Sequence, residues 1–283
     1  VMLIVVVMMV AALVVVIIII IVVVVLGHHR RQHVLGEAVV ILHRREDRLA
    51  ADVAARGGCR LEHKTEKMKT SLVIFDLDGT LLDTIGDLAV ACNAVLGVRG
   101  LPQHTYEEYC HFVGNGILRL VERALPEPLR TPETVAAVRA DFVKYYTEHI
   151  DAHTRPYDGI PELIAELARR GVALAVASNK FQAGTEKLVG LFFPGVTFAA
   201  VLGQRPGVPL KPSPAVVEEI LARTGTAREE VLYVGDSGVD IETAAAAGVR
   251  SAGVTWGFRD RAELIAAGAR HLVDRPGELL ELL

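Results

Sequence analysis

Apolar and polar positions divide this chain into two unlike parts. From Val1 to Leu26 every residue except Met, Ala and Leu insertions is Val or Ile, and no charge interrupts the run. After residue 68 short apolar stretches alternate with longer amphipathic ones. Strand-like runs fall at Ser71–Ile74, Val172–Ala177, Phe198–Leu202, Val231–Val234 and Val249–Val254, each closed by small, polar or charged residues. Continuous apolar runs of this length suit strands buried on both faces, which predicts an α/β core with a parallel sheet and helices on either side. Between the first two strands the pattern is helical, at Ile85–Leu96, Tyr106–Phe112, Gly116–Leu125 and Pro132–Ile150. Residues 83–159 are therefore expected to form an inserted all-helical cap. The core is expected to comprise 68–82 and 160–283, ending in a short helix at Glu278–Leu283.

The opening run exceeds the roughly 20 apolar residues that span a bilayer, and His28-His29-Arg30-Arg31 follows it directly. A transmembrane helix with the rest of the chain facing the cytoplasm is one reading of residues 1–26. The other is translated upstream sequence, with Met68 as the true start immediately before the first strand. The run is dominated by β-branched residues, unlike most anchors with small packing residues and an aromatic belt, so the second reading is preferred. A secretory signal fits less well, because the run is too long and no basic stretch precedes it. Residues 27–67 are rich in Arg and His without metal-ligand spacing, and are expected to be a disordered linker.

Candidate chemistry lies at the strand ends. Asp76 and Asp78 are two apart in FDLDGTLLDT, so an extended backbone turns both to one face, and Gly79-Thr80 lets the chain turn behind them. Such a pair suits a hard cation at the carboxyl edge of a parallel sheet. Ser178 and Asn179 follow the second strand, where a helix N-terminus is expected to offer free N–H groups to a phosphate. Lys211 sits on a turn stiffened by Pro212 and Pro214. Asp236 and Asp240 follow the Val231–Val234 run, four apart at the expected start of an Ala-rich helix, where a cation would favour both.

In order and strand context, these four segments resemble the four motifs of the haloacid dehalogenase-like hydrolases. Phe112–Ile117, Leu120–Leu125 and Arg155–Pro161 are similar to phosphoglycolate phosphatase-like members with a helical cap. The resemblance runs from about Met68 to the C-terminus and implies a Rossmann-like core. It also implies that Asp76 is a nucleophile forming an aspartyl-phosphate and that Asp78 is the general acid and base. Gly79, Thr80, Ser178, Asn179 and Lys211 would bind the phosphoryl group. Mg²⁺ would be held by Asp76, the Asp78 carbonyl and Asp236, with Asp240 behind them or as a direct ligand. Asn115 and Arg119, with Arg123 on the same helical side, are the cap's candidates for the leaving group.

Composition narrows the classes. Hydrophobic residues make up 51% and mean hydropathy is +0.36, both inflated by the opening run. A net charge of −4 and a pI near 6.2 leave no basic footprint for nucleic acid. Cys59, Cys92 and Cys110 form no C-x-x-C pair, which suits a reducing cytoplasm. The expected activity is hydrolysis of a small phosphorylated metabolite, phosphoglycolate first. The alternatives are a phosphomutase on the same scaffold and a non-catalytic, membrane-tethered binding module.

Overall fold

A computed structural model describes residues 69–283. The apolar segment 1–26, the linker 27–67 and the expected start at Met68 lie outside the described residues. Among those described, no helix is long and apolar enough to cross a membrane.

Six parallel strands form the central sheet. These are β1 (Leu72–Phe75), β4 (Ala173–Phe181), β5 (Ala200–Gln204), β6 (Val231–Gly235), β7 (Arg250–Val254) and β8 (His271–Val273), in the order β5-β4-β1-β6-β7-β8. The middle strand β1 pairs with β4 through Leu72↔Ala173 and with β6 through Leu72↔Val231. Its neighbours belong to successive crossovers that run to opposite sides, so the carboxyl end of β1 lies where the strand order reverses. Ligands collect at that point in open α/β sheets.

All four β1 residues are buried because each face meets its own apolar layer. Val73 and Phe75 join Val176 and Val234 on one face, over α5 (Ile160–Arg169) and α6 (Gln182–Phe192). Leu72 and Ile74 join Ala177 and Tyr233 on the other, over α7 (Ala215–Thr224) and α8 (Gly238–Ala247). This two-sided burial is why the strands read as continuous apolar runs.

The inserted region leaves and rejoins the core through a two-stranded antiparallel ribbon. In it β2 (Leu82–Asp83) pairs with β3 (Arg155–Pro156) through Leu82↔Pro156 and Asp83↔Arg155. Between these strands lie α1 (Ile85–Val98), α2 (Tyr106–Phe112), α3 (Gly116–Ala124) and α4 (Pro132–Glu148). Their starts are chemically encoded. Thr105 and Glu108 form a reciprocal capping box on α2, and Thr131 caps α4 just before Pro132 at its first position. Buried Leu88, Tyr109, Leu120 and Phe142 continue the layer that contains Phe75, so these helices and one face of the sheet share an apolar core.

Some boundaries differ from those expected. β4 runs to Phe181 rather than Ala177, because after an irregularity Phe181 pairs again with Gln204 of β5. The short helix expected at Glu278–Leu283 is a 3-10 helix at Pro276–Glu281. The sequence reading omitted the two-residue strands β2 and β3, the short β8 and α9 (Arg261–Ala266), all too brief for periodicity to reveal.

Candidate active site

Asp76 continues β1 by one hydrogen bond, its N–H donating to the Val234 carbonyl at 2.9 Å. That bond fixes the carboxylate beside the end of β6. Its Oδ1 accepts from the Leu77 N–H at 2.7 Å and lies 2.9 Å from Lys211 Nζ. The same ammonium donates to Asp240 Oδ1 at 2.7 Å and to the Ala177 carbonyl at 3.0 Å. All three of its protons thus have acceptors.

Asp240 is fully buried, at the third position of α8. Its Oδ2 accepts from the Ser237 hydroxyl at 2.6 Å and from the Ser237 N–H, completing a capping box. The Tyr233 hydroxyl adds a bond to Oδ1 at 3.2 Å. Asp236 precedes the cap and lies outside the helix, which corrects the expectation that the two acids share its first turn. Asp236 accepts from the Thr80 hydroxyl at 3.3 Å and from the Phe258 N–H at 2.8 Å.

Carboxylate oxygens of Asp76, Asp236 and Asp240 lie within 4.8 Å of one another, all buried. Burial is the largest influence on Asp76, and with the charges of Asp240 and Asp78 it raises the carboxyl to about 7 against the pull of Lys211. Burial first, then Asp240 and Asp76, also hold Asp236 well above the usual carboxylate range. Crowded acids with one ammonium between them are the donor set a hard divalent cation prefers. Asp240 is the most encumbered of the three, fully buried with its two oxygens shared among Lys211, Tyr233 and Ser237.

Two backbone approaches shape this corner. Gly79 has φ +86, and a Cβ there would lie 2.3 Å from Asp236 Oδ2; at Gly257 it would lie 2.3 Å from both Asp236 Cβ and the Gly79 carbonyl. Only hydrogen fits at either position.

Asp78 faces a different partner. Its Oδ1 accepts from Lys180 Nζ at 2.9 Å and from the Thr84 hydroxyl at 2.7 Å. Thr84 stands at the N-cap of α1 but makes no side-chain cap bond there. Burial would depress the Lys180 ammonium, yet the Asp78 carboxylate beside it outweighs burial and holds the group above the usual lysine range. Sequence reasoning passed over Lys180. Its only signal was a cation directly after Ser178-Asn179 at the end of an apolar run.

The predicted phosphate ligands divide in two. Ser178 lines the cavity with Asp76 and Asp78, and its Oγ accepts from the Lys180 N–H at 3.2 Å. It lies within β4, not at a helix N-terminus. The Gly79 and Thr80 N–H groups are already taken, donating to the Leu82 and Leu77 carbonyls and closing a tight turn. Asn179 is likewise a strut. Its Nδ2 donates to the Gly114 and Lys211 carbonyls, and its Oδ1 accepts from the Lys211 N–H.

The inserted helices reach the cavity through Val113, Ile117 and Tyr146, with Arg259 contributed by the loop after β7. Arg259 was also missed. It donates to the Cys110 and Val113 carbonyls, binding that loop to the end of α2. The two cap candidates are placed elsewhere. Arg119 is exposed and paired with Glu122 at 2.5 Å, Asn115 accepts from Arg123 at 2.8 Å, and all three arginine-side residues line an adjoining groove.

The sequence profile of the haloacid dehalogenase-like hydrolases matches residues 73–254, and the chain belongs to that family. A phosphoglycolate phosphatase of Mesorhizobium japonicum is 35% identical over 198 residues, 69% of this chain and 86% of that protein. An N-acetylmuramic acid 6-phosphate phosphatase of Pseudomonas aeruginosa is 32% identical over 233 residues, 77% of this chain and 96% of the relative. A crystal structure of a Lactobacillus delbrueckii subsp. bulgaricus protein superposes with a TM-score of 0.72 at 34% identity, covering 75% of this chain and 98% of that one. The protein is a phosphatase-like hydrolase of this family, with a six-stranded parallel sheet and an inserted helical region.

Proposed function

We propose that the protein is a Mg²⁺-dependent phosphatase that hydrolyses a small phosphomonoester, phosphoglycolate in the first place, in the cytoplasm. The observation that carries this reading is the buried convergence of Asp76, Asp236 and Asp240 around one ammonium, with Asp78 opening onto the same cavity.

Asp76 is the nucleophile. One of its oxygens attacks phosphorus as the ester oxygen departs, giving an aspartyl-phosphate that water then cleaves. Asp78 supplies the proton to the departing alkoxide and withdraws one from the attacking water. Lys211 and the Ser178 hydroxyl balance charge on the phosphoryl oxygens, while Asp240 holds the Lys211 ammonium in place. Mg²⁺ would be held by Asp76, Asp236 and the Asp78 carbonyl, and when bound it supplies the positive charge that lets a carboxylate approach an anionic ester.

A similar relative acts on phosphoglycolate, whereas the muramic acid phosphate of another relative carries a far larger alcohol. The test is phosphate release from phosphoglycolate, hexose phosphates and nucleotides by the full chain, with and without Mg²⁺. Mg²⁺-dependent release biased to phosphoglycolate is the expected result. Release from no ester at all would overturn the reading, and release only with an added sugar bisphosphate would make the protein a mutase.

A further inference from the structure

One hydroxyl stands in an otherwise apolar layer of the core. Tyr233, on β6, is 0% exposed and belongs to the layer of Leu72, Ile74, Ala177 and Ala244. An apolar residue would serve that layer equally, and burying a hydroxyl carries a cost that its bonds must offset. The phenol reaches Asp240 Oδ1 at 3.2 Å and the Ala177 carbonyl at 3.4 Å, the latter on β4 beyond the intervening β1. These are the same two oxygens that accept from the Lys211 ammonium, at 2.7 and 3.0 Å. Nζ lies 5.9 Å from the Tyr233 ring centroid, and the phenol oxygen is close enough to bond it as well. Tyr233 does not line the cavity that holds Asp76 and Asp78. Its hydroxyl meets the reaction site only through the groups that surround Lys211.

We propose that Tyr233 is a positioning residue for phosphoryl transfer, its phenol keeping the Lys211 ammonium shared between Asp240 and Asp76. The inference rests on the phosphatase reading and adds to it a residue outside the cavity. Asp240 is fixed at Oδ2 by the Ser237 hydroxyl and N–H, so what varies is the pull of Oδ1 on Lys211. With the phenol in place, Oδ1 divides its negative charge between two donors. Without it, Lys211 is the one donor left to Oδ1 among the described residues, and the ammonium is drawn from Asp76 toward α8. The Ala177 carbonyl loses its second donor in the same step and tightens on Lys211 from its own side. A displaced ammonium offers less to the phosphoryl oxygens as charge redistributes over them, and a shift of about 1 Å can cost on the order of 10²-fold in rate. The bound ester before reaction depends on that alignment less than the transition state does.

The test is Tyr233→Phe, which keeps the ring and removes the hydroxyl. With Mg²⁺ and the ester that the full chain turns over fastest, kcat is expected to fall about 10-fold while KM changes less than about 2-fold. Inhibition by orthovanadate, which takes up the five-coordinate geometry of phosphoryl transfer, should weaken by the same factor as kcat, and inhibition by inorganic phosphate should hold. An unchanged kcat, or equal losses for the two ions, overturns the proposal, because a hydroxyl that only supports the fold does not distinguish them. In a Lys211→Arg background the further loss from Tyr233→Phe is expected to vanish, and additive losses would show that Tyr233 does not act through the lysine. If the unaltered protein releases phosphate from no ester, the phosphatase reading fails by itself. In that case, or if the variant does not fold, NMR of the unaltered chain decides the positioning role. The Tyr233 hydroxyl proton should exchange slowly and give a cross-peak with the Lys211 ammonium, and a missing cross-peak overturns the proposal.

Discussion

Lys211 Nζ stands between Asp76 and Asp240, 2.9 Å from an oxygen of the first and 2.7 Å from one of the second. One buried ammonium therefore links the proposed nucleophile, at the end of β1, to the capping acid of α8. Removing it leaves buried acids without their counter-charge, and breaking such a pair by deleting one partner costs about 3–5 kcal/mol. Lys211→Met is expected to lower unfolding free energy by that amount, read from urea denaturation, and to abolish turnover. A variant as stable as the parent would mean that the acids carry no charge in the folded protein.

The raised carboxyl of Asp76 has a definite sign in pH. Its folded value of about 7 lies above its ordinary 3.8, so the metal-free protein holds the associated stability below about pH 4 and loses it as pH rises through 7. A divalent cation binds the deprotonated form, so its binding releases protons and its stabilisation grows over the same interval. Thermal unfolding with and without Mg²⁺ at pH 5, 6, 7 and 8 checks this. The gap between the two Tm values should widen with pH, and a constant gap would exclude Asp76 as the coupled group.

Gly257 is expected to tolerate no side chain. A methyl group there would meet Asp236 Cβ and the Gly79 carbonyl at 2.3 Å, forcing the acid away from Asp76. Misplacement by about 1 Å can cost on the order of 10²-fold in rate. Gly257→Ala should lose activity to about that degree and bind Mg²⁺ more weakly in a calorimetric titration, and normal cation affinity would separate Gly257 from the acid site.

Arg259 connects the loop after β7 to the inserted region, while the adjacent Phe258 N–H holds Asp236. In Arg259→Gln the carbonyls of Cys110 and Val113 lose their charged donor, worth about 1.5–3 kcal/mol. Hydrogen exchange across Tyr106–Val113 is expected to accelerate, with KM rising more than kcat falls. Unaltered exchange in that segment would show that α2 is held by its apolar contacts alone.

The parallel core was readable because its strands are buried on both faces. Runs such as Val231–Val234 have no polar side to confuse with a helix, and Asp76 and Asp236 could be singled out because each comes just after such a run, and Lys211 because it stands before the prolines of a stiff turn. Other expected or overlooked residues depend on contacts that spacing does not show. Gly79 and Thr80 carry N–H groups suited to phosphate that the fold uses to close a turn, and the Asn179 amide bridges to Gly114 and Lys211, a competition that spacing does not reveal. Lys180 and Tyr146 meet only when β4 and α4 come together, from positions 34 residues apart in a chain whose helical periodicity places Tyr146 on an ordinary apolar stripe. Arg259 lies further still from its partners in α2, so its role had no local signature.

The β2–β3 ribbon gives the insertion a narrow doorway. Asp83 and Arg155 face each other across one antiparallel pair, so the point of departure and the point of return are about 5 Å apart. Everything built between them can change in length or composition without stretching the chain that carries Asp76 and Asp78. The reaction and the choice of molecule that undergoes it are thereby separable inheritances: the sheet can keep one chemistry while successive insertions, fitted to the same doorway, offer it different substrates.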